Sequence, residues 1–268
     1  MKRIPLLLVL LARAVPCAPQ SVDSSCKLPP DLFDRRAVLE KQLGSAIPPV
    51  EPGGMTADEI RARLKAVDEQ YYQFMMALSD DAQQHCWVRM KACCARSPQD
   101  PVARLTCRLA LYLTKQSTAK EFVEQFPASG DLDPLWALDE IANVKSIPNG
   151  PNTLPPLFGP DGPFHSYTTE LLKLVTKDDK QALQKYLQLS LSAEGYFAED
   201  MEDQVQKLFV EHPQVVLDNW DALKSNYLVT EVLAEEFSED EKRQLRQKYE
   251  RYCHINESAC REVIHALK

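Results

Sequence analysis

The chain has 268 residues, 44% of them hydrophobic and 26% charged, and a formal net charge of −8. An acidic protein repels phosphate backbones at long range, so the charge argues against a nucleic-acid partner and against electrostatic docking on an anionic membrane surface. No interior stretch approaches the roughly 20 apolar residues that a membrane-spanning helix needs. The 19 prolines and 8 glycines suit a helical globular protein whose helices begin at prolines.

The first residues predict a secretory signal peptide over residues 1–18. Two basic residues precede a short apolar run, and a small-x-small cleavage pattern ends at Ala14, with a second cleavage position after Ala18. The run is too short to span a bilayer. Lipidation of Cys17 is the alternative, and we disfavour such a lipid anchor because the residues before Cys17 depart from the lipoprotein pattern. We therefore expect a secreted or periplasmic protein.

Helix-start signals predict an N-terminal helical lobe over residues 26–145. Thr56 and Glu59 form a capping box, in which each side chain accepts a hydrogen bond from the backbone N–H of the other residue. An apolar stripe at helical spacing then occupies residues 60–78. Asp100-Pro101 places a capping residue before a proline at the first helical position. These patterns predict successive helices rather than strands.

The cysteines of an exported chain are expected to form disulfides, because such a chain meets an oxidising compartment. Cleavage after Ala14 keeps all eight cysteines, an even number, whereas cleavage after Ala18 leaves seven. The spacing contains no CxxC pair, so we assign no metal site and no cofactor. The candidates for disulfide bonds are Cys26, Cys86, Cys93, Cys94, Cys107, Cys253 and Cys260.

Helical geometry narrows the pairing within the N-terminal lobe. If Cys93, Cys94 and Cys107 lie on two antiparallel helices joined near residues 97–100, positions equidistant from the turn face each other. One of the two adjacent cysteines is then expected to bond Cys107. Closing a loop of this size stabilises a fold by roughly 2–4 kcal/mol.

The other cysteines leave more alternatives open. Cys253 and Cys260 flank a predicted turn and are placed to bridge two short helical ends. Cys26, Cys86 and the remaining member of the adjacent pair would share the bonds that are left. The sequence alone does not decide among those possibilities.

Residues 146–164 interrupt the helical pattern with six prolines and three glycines. Such a stretch is predicted to be non-helical. One interpretation is a linker between two helical lobes. The other is an ordered binding loop, because long irregular loops in compact domains are often functional. Four apolar side chains either pack the loop down or form its contact surface: Leu154, Leu157, Phe158 and Phe164.

The remainder, residues 165–268, is predicted to be a C-terminal helical lobe. Residues 173–186 and 207–220 share an apolar pattern at an offset of 34 residues, the length of some helix-turn-helix repeats. Ser238 is predicted to begin a charged helix, and Asn256 is predicted to cap the last one. The fold class predicted for the chain is therefore all-α, a disulfide-linked helical lobe followed by a stacked helical-hairpin array.

The search for catalytic patterns assigns no catalytic residue. The sequence lacks HExxH, GxSxG, a phosphate-binding P-loop and GxGxxG. We interpret the five histidines as solvated or hydrogen-bonded, namely His85, His165, His212, His254 and His265. Our leading hypothesis is an exported, non-enzymatic binding or scaffolding protein whose partner is a protein or an envelope component. The alternative is a cell-envelope or extracellular hydrolase that uses carboxylates brought together by the fold.

Overall fold

The computed structural model describes residues 24–45, 55–124, 132–142 and 155–268. These residues form helices and connections without a strand, which confirms the all-α prediction. No helix within the described ranges combines the length and the apolar character that crossing a membrane requires. The first half contains a 3₁₀ turn at Ser24–Cys26 and then α1 Leu32–Ser45, α2 Ala57–Gln83, α3 Trp87–Cys94, α4 Pro101–Leu113, α5 Ala119–Glu124 and α6 Asp133–Ala142.

The second half continues with a short 3₁₀ helix and a run of packed helices. A π-helical turn at Val232–Glu236 follows α12 directly. The elements in order are the 3₁₀ helix Pro156–Phe158, α7 Gly162–Val175, α8 Lys180–Ser190, α9 Tyr196–Glu211, α10 Pro213–Asp218, α11 Trp220–Leu223, α12 Tyr227–Glu231, α13 Glu239–Glu250 and α14 Glu257–Ala266.

The long helix α2 is the centre of the N-terminal lobe. The predicted capping box begins it: the Thr56 backbone N–H donates to Glu59 Oε2 at 2.8 Å, and Glu59 N–H donates to Thr56 Oγ1 at 3.3 Å. Its apolar stripe is buried against α1, α3, α4 and α6. The buried Tyr71 hydroxyl donates to Asp100 Oδ2 at 2.5 Å, and Asp100 also caps α4. One carboxylate therefore begins α4 and fixes it against α2.

Disulfides connect the irregular parts of this lobe to its helices. Cys26 bonds Cys93 and so fixes the 3₁₀ turn to α3, while Cys94 bonds Cys107 and joins α3 to α4. In the C-terminal lobe, Cys253 bonds Cys260 across the turn between α13 and α14. Cys86 is disulfide-bonded as well.

A buried arginine joins three helices of the same lobe. Arg36 on α1 donates to Asp68 Oδ1 on α2 at 2.9 Å and to Glu140 Oε2 on α6 at 2.8 Å. It also pairs with Glu40, one turn further along α1. Burial acts to lower the pKa of Arg36, but the three surrounding carboxylates hold it above its ordinary value. Arg36 is therefore charged in the fold, and its charge is compensated on α1, α2 and α6.

The proline-rich stretch is less irregular than the sequence predicts. Pro156–Phe158 forms a 3₁₀ helix, and α7 already begins at Gly162, so the non-helical prediction through residue 164 is wrong at its end. The physical reason is that Pro163 stands in the first turn of α7, where its missing N–H would have no intrahelical partner in any case.

Helix α7 packs directly on α4 and α6. The buried Tyr167 hydroxyl of α7 donates to the Leu105 carbonyl of α4 at 2.7 Å, and Phe164 N–H donates to Asp139 Oδ1 on α6 at 3.0 Å. Beyond α7 the chain forms the predicted stack: α7 pairs with α8 and also contacts α9, while α9 contacts α10, α12 and the π-helical turn. Helices α13 and α14 then pack on each other, and α14 contacts α10 and α11.

Candidate functional site

The first turns of α7 and α9 lie side by side and bring several chemically active side chains together. Helix α8 reverses the chain between them, so α7 and α9 run in the same direction, and their N-terminal ends meet at the surface next to α6. Asp161 precedes α7, His165 lies in its first turn, and Asp200 lies early in α9. The stacking of hairpins therefore creates a site that no local stretch of sequence contains.

The central contact of this site joins a histidine to a carboxylate. His165 Nδ1 lies 2.5 Å from Asp200 Oδ1. The second oxygen of Asp200 accepts a hydrogen bond at 2.9 Å from Gln204 Nε2, which also donates to Thr168 Oγ1 at 2.7 Å. Only 11% of the Asp200 side chain is exposed. Asp200 is therefore held from two sides and fixes the orientation of the imidazole ring.

The other edge of the ring faces a second carboxylate. His165 Nε2 lies 3.9 Å from Asp161 Oδ2, too far for a hydrogen bond, and 58% of the Asp161 side chain is exposed. The hydrogen bond to Asp200 raises the pKa of His165 above its ordinary value; burial and the Lys207 charge oppose that rise, and the Asp161 charge adds to it. With Nδ1 bound inside, Nε2 remains available to a ligand as a donor or an acceptor, depending on protonation.

A cluster of aromatic rings lies at the starts of α7 and α9. The Phe197 ring lies 4.5 Å from Trp136 and 4.6 Å from the buried Phe164, measured between centroids. Tyr196 packs edge-on against Phe197 at 5.9 Å while remaining 56% exposed. Partial burial raises the pKa of Tyr196, and three nearby carboxylates add to the effect. We call this surface the α7–α9 face and define it by Trp136, Asp161, His165, Tyr196, Phe197 and Asp200.

The four side chains proposed from sequence as a binding loop lie differently. Phe158 and Phe164 are buried, and Leu157 is half-buried against the core. Leu154 lies outside the described residues. The part of the stretch that the structure describes is thus packed down by its aromatic side chains. Of the four, Phe164 supports the α7–α9 face from beneath.

Sequence reasoning missed the pairing of His165 with Asp200, because the two residues are 35 positions apart on different helices. The apolar pattern that repeats at an offset of 34 residues was the available signal for this pairing. It makes α7 and α9 equivalent members of adjacent hairpins, and it places residues 165 and 199 at matching positions. The adjacent carboxylates Glu199 and Asp200 lie near the start of α9, where negative charge favours the helix dipole. Asp200 occupies such a helix-start position and also contacts His165.

The described residues of the α7–α9 face do not form a metal site. Within the described ranges, no group of three or more His, Cys, Asp or Glu side chains is arranged to hold a metal ion. The chemistry that the face offers is therefore hydrogen bonding, negative charge and aromatic contact. Comparison of the chain with known protein families, curated proteins and solved structures finds no match, so the assignment of a function rests on this geometry alone.

Proposed function

We propose that the protein is an exported binding protein, secreted or periplasmic, that recognises a basic group of a protein or envelope component through the α7–α9 face. The observation that carries this proposal is the exposed Tyr196, whose hydroxyl lies near three carboxylates, among them Asp200, which also fixes the orientation of His165. Exposed tyrosine and tryptophan rings with rigid support are the residues that dominate protein interfaces. A rigid aromatic contact loses little side-chain entropy on binding.

The charges of the face favour a cationic partner. The carboxylates of Asp139, Asp161 and Asp200 all act on the Tyr196 hydroxyl. Lysine and arginine side chains are attracted both to carboxylates and to the faces of aromatic rings. The chain as a whole carries a net charge of −8, which also steers basic partners toward it.

The disulfides support the exported location. Bonds such as Cys26–Cys93 and Cys94–Cys107 persist in oxidising compartments and are rare in the reducing cytosol. All seven cysteines of the described residues are disulfide-bonded, and seven is an odd number. This count favours a mature chain that retains Cys17, and hence cleavage after Ala14 rather than after Ala18. N-terminal sequencing of the secreted protein tests this processing directly.

The binding proposal is tested by capture from the native extracellular or periplasmic fraction with the mature, oxidised protein. Tyr196→Ala should lose the captured partner, whereas Tyr227→Ala should retain it. Tyr227 is the matched control because its side chain is also exposed, at 69%, and lies on α12 outside the face. Equal recovery by both variants, or no reproducible partner with the wild type, would contradict the proposal.

A second candidate function, a cell-envelope or extracellular hydrolase, is favoured by one observation. A carboxylate on Nδ1 leaves Nε2 of His165 able to accept a proton, which is the requirement for a general base. A hydrolase should turn over cell-envelope polymer or a chromogenic ester or glycoside, and His165→Asn should lower that rate by about 10²–10⁴-fold. Absence of turnover by the wild type, together with a captured partner, would leave the binding function.

A further inference from the structure

A groove separate from the α7–α9 face runs along the antiparallel pair α1 and α2. Its volume is about 670 Å³. Apolar side chains of both helices form its floor, among them Val38, Leu39 and Val67, and charged side chains form its rim. A groove between two helices commonly binds a further helix, whose apolar side chains pack into the groove.

Helix α1 packs mainly against α2. Of its 14 residues, Leu32, Arg36 and Leu39 are buried, and its main neighbour is α2. Val38 lies in the groove and remains 54% exposed. A helix that buries so few side chains gains little from apolar burial. Covering the groove would bury Val38 and complete the second face of α1.

The rim of the groove carries equal numbers of opposite charges. Asp31 and Asp34 lie at the start of α1, Arg35 follows them, and Arg63 lies on α2. Among the described residues, none of these four side chains is in an ion pair, although neighbours such as Arg36 and Arg61 are. The rim is thus neutral on a chain of net charge −8, so it is a place where two copies can approach without repulsion.

We infer that the groove is the interface of a two-fold symmetric dimer, in which the α1–α2 pair of each copy covers that of the other. A two-fold interface uses the same surface patch on both subunits, so the patch must be complementary to itself. A rim with two acidic and two basic side chains is complementary to itself when the acidic side chains of one copy face the basic side chains of the other. The apolar floors then pack together between the charged contacts.

The inference is tested with two charge-reversed variants. R35E/R63E has only acidic charges on the rim, and D31K/D34K has only basic ones. Sedimentation velocity over about a 100-fold range of protein concentration measures association, because dimer formation follows mass action. The wild type should dimerise, each variant alone should associate at least about 10-fold more weakly, and an equimolar mixture of the two should recover a heterodimer.

Matched controls separate loss of the interface from loss of the fold. Far-UV circular dichroism should be the same for all variants. V38D places a charge on the floor and should abolish the dimer, whereas V88D should not, because Val88 is 82% exposed on α3 outside the groove. A wild type that stays monomeric over the whole range overturns the inference. So does a dimer that both double variants preserve, or a mixture of them that does not associate.

Discussion

The described residues fall into two regions, one up to residue 142 and one from residue 155 onward, that are held together by different means. In the first region the strongest connections join elements that are distant in sequence: Cys26–Cys93 spans 67 positions, and Arg36 contacts carboxylates on two other helices. In the second region the disulfide spans 7 positions. There, single polar contacts join consecutive helices, as where the Tyr186 hydroxyl of α8 donates to the Met201 carbonyl of α9 at 3.2 Å.

The difference follows from how the two regions bury their cores. A stack of hairpins gives every helix a neighbour that is close in sequence, so packing can accumulate from one hairpin to the next. The first region instead wraps shorter elements and irregular turns around α2. Those elements are ordered by covalent bonds and by a buried charge, so we expect the first region to be more sensitive to single substitutions.

The largest effect is expected from Arg36→Met. Burial raises the pKa of Asp68, and the Arg36 charge opposes that rise. Loss of the arginine leaves a buried carboxylate without its partner, and breaking a buried pair in this way costs about 3–5 kcal/mol. Urea unfolding at neutral pH should show this loss in the free energy of unfolding.

The double variant R36M/D68L is the control for that interpretation. It removes both buried charges, while Glu40 and Glu140 are exposed enough, at 40% and 56% of their side chains, to return to water. Replacing a buried ion pair by apolar side chains is often neutral or stabilising. The double variant should therefore recover most of the stability that R36M loses. A double variant as unstable as R36M would show that the geometry of the arginine, rather than its charge balance, orders this region.

Removal of the long disulfide should have the next largest effect. In the chain-entropy model, opening a loop of 67 positions in C26A/C93A costs about 4 kcal/mol. The measurement is again the free energy of unfolding, under non-reducing conditions. The wild type treated with a reductant should lose more stability than C26A/C93A, because the reductant also opens Cys94–Cys107 and Cys253–Cys260.

Removal of the short disulfide should cost about half as much. The same model gives about 2 kcal/mol for the 7-position loop opened in C253A/C260A. We also expect the site on α7 and α9 to keep its binding, because the bond joins the far end of the array. A loss equal to that of C26A/C93A would contradict the contrast between the two regions.

The sequence predicted the local features of both regions and missed the long-range ones. Helix starts such as Thr56–Glu59 and Ser238–Glu241 were predictable because both partners of each capping box lie within four residues. Antiparallel geometry indicated that Cys93 or Cys94 would bond Cys107, but choosing between the two required the rotation of α3. The start of α7 was misplaced because prolines were counted as breaks, although one of them occupies a position that tolerates it.

The candidate site was predictable only in its parts. His165 and Asp200 each have an ordinary local explanation, as a polar residue of a first turn and as helix-start charge. Their pairing depends on the rotation of α7 relative to α9, which many apolar contacts determine together. A pattern read along one helix contains no information about that rotation.

The smallest of the predicted stability effects concerns pH and tests whether His165 ties α7 to α9. Its pKa is raised in the fold relative to the ordinary value of 6.5, chiefly by the hydrogen bond with Asp200. The protonated form is therefore favoured by folding, so this stabilisation is fully present below about pH 6.5 and is lost as the pH rises through the raised pKa. The effect is limited because 29% of the side chain is exposed to solvent.

The difference in unfolding free energy between the wild type and His165→Asn should be larger near pH 5.5 than near pH 8. A difference that is constant over this range, or that grows with pH, would mean that the charge of His165 does not stabilise the α7–α9 contact, and that the histidine is free to serve a ligand instead.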